Sequence, residues 1–467
     1  MKRYDLIIIG GGAAAFGAAI HANELHSNAA LINAGLPLGG TCVNVGCVPS
    51  KTLLYAGEIL HLAKHHGIPG IKIEQVEFDF RKVVADELAL VERLRKEKYE
   101  KVLSSLNHVT LLEGKAKFIS KDAVRVNGQD LHADKFIIAT GSTASAPPIE
   151  GIREAGFLTH IEALKLEKQP KELIVIGAGP LGLEFGQMYA RFGTKVTILE
   201  RMPSLFPPSE KELVDRLALI FAQEGIAVRS SVEVRRAWKE GDKKVLSYIA
   251  EGKEEKVSGD EILLATGKIP NTQELGLEQA GVETDRRKAI AVDEHLQTSQ
   301  PHIFAAGDVT NLLLRLEITA GHEGTLAAEN ALTGSGKSID YNTVPYTIFT
   351  DPQLAGVGFT EEEQMRKIGV CDCRTVSFRD VPKAIIMRRT EGLIKMAVHP
   401  ETRQIMGVHI LAPYAGELIA GAMMLVKNRN TIDDVVDSLP MFPTLSESIK
   451  LAALSFMKDI SKLSCCV

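Results

Sequence analysis

"DLIIIGGGAAAFGAAIHA", residues 5–22, is a short apolar run, a cluster of glycines and an Ala/Gly-rich stretch of helical character. The same order returns in "ELIVIGAGPLGLEFGQMYA" at residues 172–190. An apolar strand running through a glycine turn into a helix is the phosphate-binding half of a dinucleotide fold. The first glycine makes the tight turn and the second lets the backbone approach a pyrophosphate. The third position packs helix on strand at the helix's positive end. These positions are Gly10, Gly12 and Ala15 in one copy, and Gly177, Gly179 and Gly182 in the other. A second strand follows each turn: "AALIN" ends at Asn33 and "KVTILE" at Glu200, each 23 residues after its first glycine. A lone glycine turn is a weak signal, because such turns also serve as plain connectors. Two in the same setting predict an α/β protein with two Rossmann-like dinucleotide-binding domains.

A chain of 467 residues exceeds the roughly 250–300 at which one core stops growing, so several domains are expected. Its net charge of −5 gives no general attraction to nucleic acid or to anionic membrane surfaces. No apolar run approaches the roughly 20 residues that span a bilayer. The opening "MKRYDLIIIGGG" has too short an apolar stretch for a signal-peptide core, so a cytoplasmic, reducing setting is expected. In such a setting the six cysteines read as reactive or metal-binding groups rather than as staples.

Three further strands are predicted from "KFIIATGS" (135–142), "EILLATGKIPN" (261–271) and "HIFAAGDVTN" (302–311). The last places Asp308 just beyond a buried strand and a glycine, where a ligand hydroxyl could be held. From about residue 337 the texture changes to strands such as "LIKMAVHP" and "IMGVHILA" followed by helices, which suggests a separate α+β domain.

The cysteines cluster. "GGTCVNVGCVPSK" (39–51) carries Cys42 and Cys47, and "LSCCV" (463–467) carries Cys465 and Cys466. Zinc wants four ligands, and no second pair at close spacing completes a set around Cys42 and Cys47. Beside a flavin, such a dithiol has a sharper use: one thiolate faces the ring while the other exchanges with substrate. Adjacent Cα atoms stand about 3.8 Å apart, short of the 4.4–6.8 Å a relaxed disulfide prefers, so Cys465 and Cys466 are expected to persist as a dithiol. Two thiolates there suit a soft metal ion; the alternatives are a functionless end or a prenylation signal. Cys371 and Cys373 in "VCDCR" read as buried or incidental strand thiols, with metal binding as a minor alternative.

"GGTCVNVGCVPSK", both glycine turns, "ATG", "AAGD" and "FTDPQ" (349–353) together resemble the flavin-dependent pyridine nucleotide disulfide oxidoreductases over essentially the whole chain. The resemblance implies an FAD-binding domain in two parts, 1–145 and 269–336. It places an NAD(P)-binding domain at 146–268 and a dimerisation domain at 337–467. Gly10, Gly12 and Ala15 would hold the FAD pyrophosphate, Gly114 and Ala116 would pass near the adenine, and Asp308 would bind the ribityl chain. Asn33, where the family usually has an acidic residue, Gly40, Thr41, Gly46, Thr140 and Gly141 would complete that cradle. Gly177, Gly179, Gly182, Glu200, Arg201 and Gly267 would serve the coenzyme. NADPH is expected, with NADH open: a carboxylate at Glu200 favours a free 2'-hydroxyl, while Arg201 attracts a 2'-phosphate.

Cys42 would be the exchange thiol and Cys47 the flavin-proximal one, closing as a redox disulfide. Lys51 would sit beside the flavin and stabilise its reduced, anionic form, with Glu184 as its partner. The tail resembles that of family members that reduce Hg(II). It implies that the ion, arriving on small thiols, is caught by Cys465 and Cys466 and passed to Cys42 and Cys47 in a homodimer that shares its active site. Phe442 in "MFPTLSES" stands where disulfide-reducing members carry a general-base histidine, which argues against disulfide substrates. It also replaces a tyrosine found in Hg(II)-reducing members, and Pro180 replaces one that covers the flavin in many others. The competing readings are another flavin disulfide reductase and a non-catalytic soft-metal binder.

Overall fold

The computed structural model describes residues 2–464, so Cys465 and Cys466 lie outside the described residues. The chain forms two compact units. One contains the stretch up to Thr52, Lys82–Ala146 and Gly267–Ile339; the other contains Leu53–Arg81, Pro147–Thr266 and the chain from Asp340 onward. Segment 53–81, expected in the first dinucleotide domain, therefore folds with the second unit. Among its contacts there, Phe78 stacks on Phe192 at 5.1 Å and Phe80 meets the same ring edge-on at 5.9 Å.

The first unit is built on a seven-stranded sheet. Its order is Val109–Glu113, Ala29–Asn33, Lys2–Ile9, Gln129–Ile138, Ala123–Val126 and Ala116–Phe118, with Ile303–Ala305 also pairing with Gln129–Ile138. The first four strands run parallel, and Ala29–Asn33 together with residues 6–9 are buried on both faces, which is why those stretches read as apolar runs. Leu6, Ile7 and Ile8 have no exposed surface at all. Helices Ala13–Glu24 and Glu317–Thr333 pack almost backbone to backbone. A Cβ on Gly17 would lie 2.2 Å from Gly321 O, and one on Gly324 would lie 1.9 Å from Ala14 O. The small residues after the first glycine turn thus serve helix packing as well as the turn.

The second unit holds the other dinucleotide fold: a parallel sheet in the order Ala227–Arg229, Lys195–Leu199, Glu172–Ile176 and Glu261–Leu264. It also carries a three-stranded meander and a five-stranded sheet in the order Tyr346–Ile348, Gln353–Gly358, Ile405–Ala412, Leu393–Val398 and Asp372–Ser377. Ile394, Met396, Val408 and Ile410 of that last sheet pack against Ile419 and Ala422 of helix Ala415–Lys427, the α+β texture read from the sequence.

One helix face organises the "FTDPQ" segment. Glu184, Gln187 and Arg191 recur at the spacing that places side chains on one side of helix Pro180–Arg191. Glu184 accepts the Phe349 N–H at 2.9 Å, Gln187 brackets the Asp351 backbone at 2.7 and 2.8 Å, and Arg191 pairs with Asp351 at 2.9 Å and with Glu224 at 2.8 Å. Arg389 joins the same Asp351 and also reaches Glu58 at 3.2 Å. The Asp351–Pro352 and Phe442–Pro443 bonds are cis. Leu439, Met441 and Phe442 stand exposed ahead of the second of them.

Candidate redox-active site

The cysteine loop folds as two helices, Gly40–Val45 and Cys47–His65, separated by Gly46. The crossing at Gly46 is tight, since a Cβ there would lie 2.9 Å from Thr41 O. Asn44 pins the loop from inside: its Nδ2 donates to the Pro37, Leu38 and Gly40 carbonyls at 3.1, 3.1 and 2.8 Å, and its Oδ1 accepts from Arg95 at 3.3 Å. Ser50 donates to Gly46 O at 2.7 Å. The loop also lies against the first glycine turn, where a Cβ on Gly40 would come within 2.6 Å of Gly12 Cα. The dithiol is therefore held at the phosphate end of the first dinucleotide fold.

Cys42 and Cys47 are not joined as a disulfide but hydrogen-bond to one another as thiols, so the structure shows the reduced form of the pair that the family resemblance implies as a disulfide. Their sulfurs and a carboxylate oxygen of Glu317 all lie within 4.8 Å of one another. The Cys42 thiol is pushed up from its ordinary value by its hydrogen bond to Cys47, by burial and by the Glu317 charge. Burial likewise raises the Glu317 carboxyl, opposed by its bond to Cys42; the residue as a whole is exposed, but its carboxyl end is turned onto the sulfurs. Tyr99 completes the group. Its hydroxyl is pushed up to about 12 by burial and by the negative charges of Glu317 and the two cysteines. It sits in a π-helical turn, Lys96–Glu100, with its ring edge-on to Phe16 at 4.9 Å.

Sequence reasoning missed Glu317 and Tyr99. Glu317 merely opens a helix nine residues after Asp308, and Tyr99 is a single aromatic in the charged run "KEKYEK". Neither spacing carries a signal. A raised folded-state carboxyl binds its proton more tightly than the unfolded chain does, so it stabilises below its ordinary value of 4.5 and loses that advantage as pH rises above it. Glu317→Gln is accordingly expected to gain melting temperature relative to the parent as pH rises from about 4 to about 7. A melting-temperature difference that stays flat or falls over that range would contradict the placement of the carboxyl.

The two cradles fit dinucleotides. In the first, a Cβ on Gly10 would lie 2.2 Å from Ala139 O, and Gly12 caps helix Ala13–Glu24 without a side-chain hydrogen bond to its first N–H groups. Asn33 is buried beneath Gly11 and donates to Leu36 O and to Glu113 Oε2, both at 3.3 Å. Strand register sets Asn33 opposite Glu113, so the acidic group missing at position 33 is supplied one strand over. Asp308 accepts from Ser142 at 2.6 Å and Lys268 at 3.2 Å, while Gly141 leaves open space at the same sheet edge. Thr140 instead serves the fold, donating to Asn271 O at 2.7 Å. Gly114 and the buried Ala116 stand at the far edge, where Asn127 packs within 2.7 Å of the Gly114 Cβ position.

In the second cradle a Cβ on Gly182 would lie 1.9 Å from Gly177 O, whereas Gly179 faces open space at the start of helix Pro180–Arg191. Pro180 takes the first helical position, where its missing N–H costs nothing. Glu200 accepts the Ala178 and Met202 N–H groups at 2.6 and 2.7 Å, and Arg201 stands exposed beside it. Gly267, expected with this cradle, begins a segment of the first unit instead.

Two family models cover nearly the whole chain: "Pyridine nucleotide-disulphide oxidoreductase" matches residues 4–332 and its dimerisation domain matches residues 344–453. The chain belongs to this oxidoreductase family. As a member it uses FAD and NAD(P)H, and its dimerisation domain supports a homodimer. A mercuric reductase of Lysinibacillus sphaericus is 40% identical over 99% of this chain and 84% of its own length, and one from Staphylococcus aureus is 38% identical with the same coverage. Among solved structures, the HOCl-induced flavoprotein disulfide reductase RclA of Escherichia coli, as its Cu(II) complex, superposes with a TM-score of 0.86. It is 29% identical and covers 98% of this chain and all of its own. No helix among the described residues is long and apolar enough to cross a membrane.

The cradle residues would hold the two dinucleotides, and bound FAD supplies the two-electron step between NAD(P)H and the dithiol. Lys51 lies one turn along the helix that begins at Cys47, and Glu184 is buried in the second unit. Cys371 and Cys373 depart from expectation: they are joined as a disulfide, and both are partly exposed rather than buried. Their side chains leave the same face of a strand, which brings the sulfurs together.

Proposed function

We propose that the chain is a mercuric reductase, reducing Hg(II) delivered on small thiols to Hg(0) at the expense of NADPH. The observation that carries this reading is the reduced Cys42–Cys47 dithiol, held with Glu317 at the end of a dinucleotide fold in a chain that also carries the Cys465–Cys466 pair. A thiophilic ion needs sulfur ligands and electrons, and such a dithiol offers both. Cys465 and Cys466 of one subunit take the ion from its carrier thiols. Cys42 and then Cys47 of the other subunit displace them, each exchange passing its thiol proton to the departing thiolate. Lys51, one turn along the helix that starts at Cys47, holds positive charge beside the flavin.

Phe442 cannot shuttle a proton to a leaving thiol, and this disfavours the disulfide-reductase reading. For the coenzyme, the two backbone N–H groups on Glu200 offset its charge, and Arg201 supplies a cation for a 2'-phosphate. NADPH is therefore the proposed donor, in a reducing cytoplasm.

The purified FAD-bound protein should oxidise NADPH when thiol-complexed Hg(II) is supplied and stay idle with glutathione disulfide or lipoamide. Its kcat/KM should be higher with NADPH than with NADH. Turnover with a disulfide and none with Hg(II) would overturn the reading; a preference for NADH would overturn only the coenzyme assignment.

A further inference from the structure

Cys371 and Cys373 take no part in the redox site described above, yet their placement is specific. Cys371 immediately precedes strand Asp372–Ser377, the edge strand of the five-stranded sheet, and Cys373 lies within it opposite Ala397. Residues two apart on a strand face the same way. Their Cα atoms stand 6.1 Å apart, inside the 4.4–6.8 Å over which two sulfurs meet without backbone movement. Both residues are partly exposed, so small thiols can reach the bond.

Arg374 donates to Cys373 O at 2.9 Å and pairs with Asp372 at 2.6 Å, which ties down the polar neighbours of the pair. The pairing also occupies the intervening carboxylate, which leaves the two sulfurs as the donors. Two sulfurs fall short of the four donors a closed zinc site takes and suit an ion content with two. The same guanidinium lies 5.1 Å from the Phe456 ring, nine residues before Cys465, so this pair sits near the root of the C-terminal segment.

We propose that Cys371 and Cys373 form a second soft-ion site whose availability is set by thiol redox state. Two small-molecule thiols open the bond, leaving two protein thiols and one small-molecule disulfide. The opened pair then displaces both thiolates from a thiol complex of Hg(II), forming a two-sulfur chelate and releasing two protonated thiols. The site holds the ion and does not reduce it. It stands whether or not the chain turns Hg(II) over.

The test uses the full-length FAD-bound protein. Native protein is exposed to millimolar glutathione, alkylated and mapped by mass spectrometry; both cysteines should become labelled. A separate glutathione-treated, unalkylated sample receives Hg(II) as its glutathione complex, is desalted, and its metal is counted. Cys371→Ser/Cys373→Ser should retain one Hg(II) per chain fewer than the parent, with NADPH still reducing the flavin at the parental rate. If the double variant does not fold, Cys373→Ser alone should show the same loss. A pair that stays closed to alkylation, or equal metal counts in parent and variant, would overturn the proposal.

Discussion

Serine at either Cys42 or Cys47 is expected to lower Hg(II)-dependent NADPH oxidation by on the order of 10³-fold or more, the scale on which removing one member of a catalytic unit acts. The substitution removes a single polarisable atom. A hydroxyl is a hard, neutral donor at neutral pH and holds a thiophilic cation poorly, so the ion would be left on one sulfur. The remaining thiol cannot form the two-sulfur complex from which the electrons are delivered. NADPH reduction of the flavin should survive, because the coenzyme cradle around Gly177, Gly179 and Glu200 lies in the other compact unit. Stopped-flow absorbance separates the two half-reactions. A serine variant that keeps more than about a tenth of the parental mercury rate would show that the ion is reduced elsewhere.

Arg191→Ala should destabilise the second unit by about 3–5 kcal/mol, the cost of stranding buried partners of an ion pair. Arg191 has only 5% of its side chain exposed, and its partners Glu224 and Asp351 have 12% and 13%. Removing it leaves Asp351 with Arg389 alone and Glu224 without its forked donor. Arg191→Lys should recover part of the loss, because it restores the charge but not the fork. Calorimetry of the FAD-bound protein should show the alanine variant melting on the order of 10 °C lower. A change within about 0.5 kcal/mol, as for an ordinary surface substitution, would mean the network is solvated and contributes little.

The parts of the fold that were legible in the sequence are those whose physics is local. Gly10 and Gly177 announce their turns because only glycine allows the backbone approach and the positive φ there, and Ala29–Asn33 and residues 6–9 read as apolar because both faces are covered. Asp308 was legible because an acidic residue just past a buried strand has few structural reasons to be there. What stayed hidden depends on partners distant along the chain. Segment 53–81 folds with the second unit, where Phe78 and Phe80 meet Phe192, a pairing no local window contains. The "FTDPQ" segment carried only family likeness until Glu184, Gln187 and Arg191 appeared on one helix face beside it.

The same holds at the candidate site. Asn33 looked like a missing acid, and strand register supplies Glu113 next to it. Glu317 and Tyr99 reach the dithiol only because the helix packing and the π-helical turn carry them there. Cys371 and Cys373 looked incidental because spacing alone does not show that an edge strand presents both sulfurs on one side.

The most direct test of the central claim is to count mercury vapour against coenzyme. Under anaerobic conditions, with excess thiol and FAD-bound protein, the account predicts one Hg(0) released for each NADPH consumed, because both are two-electron events. NADPH consumed while the mercury stays in solution as Hg(II) would contradict it.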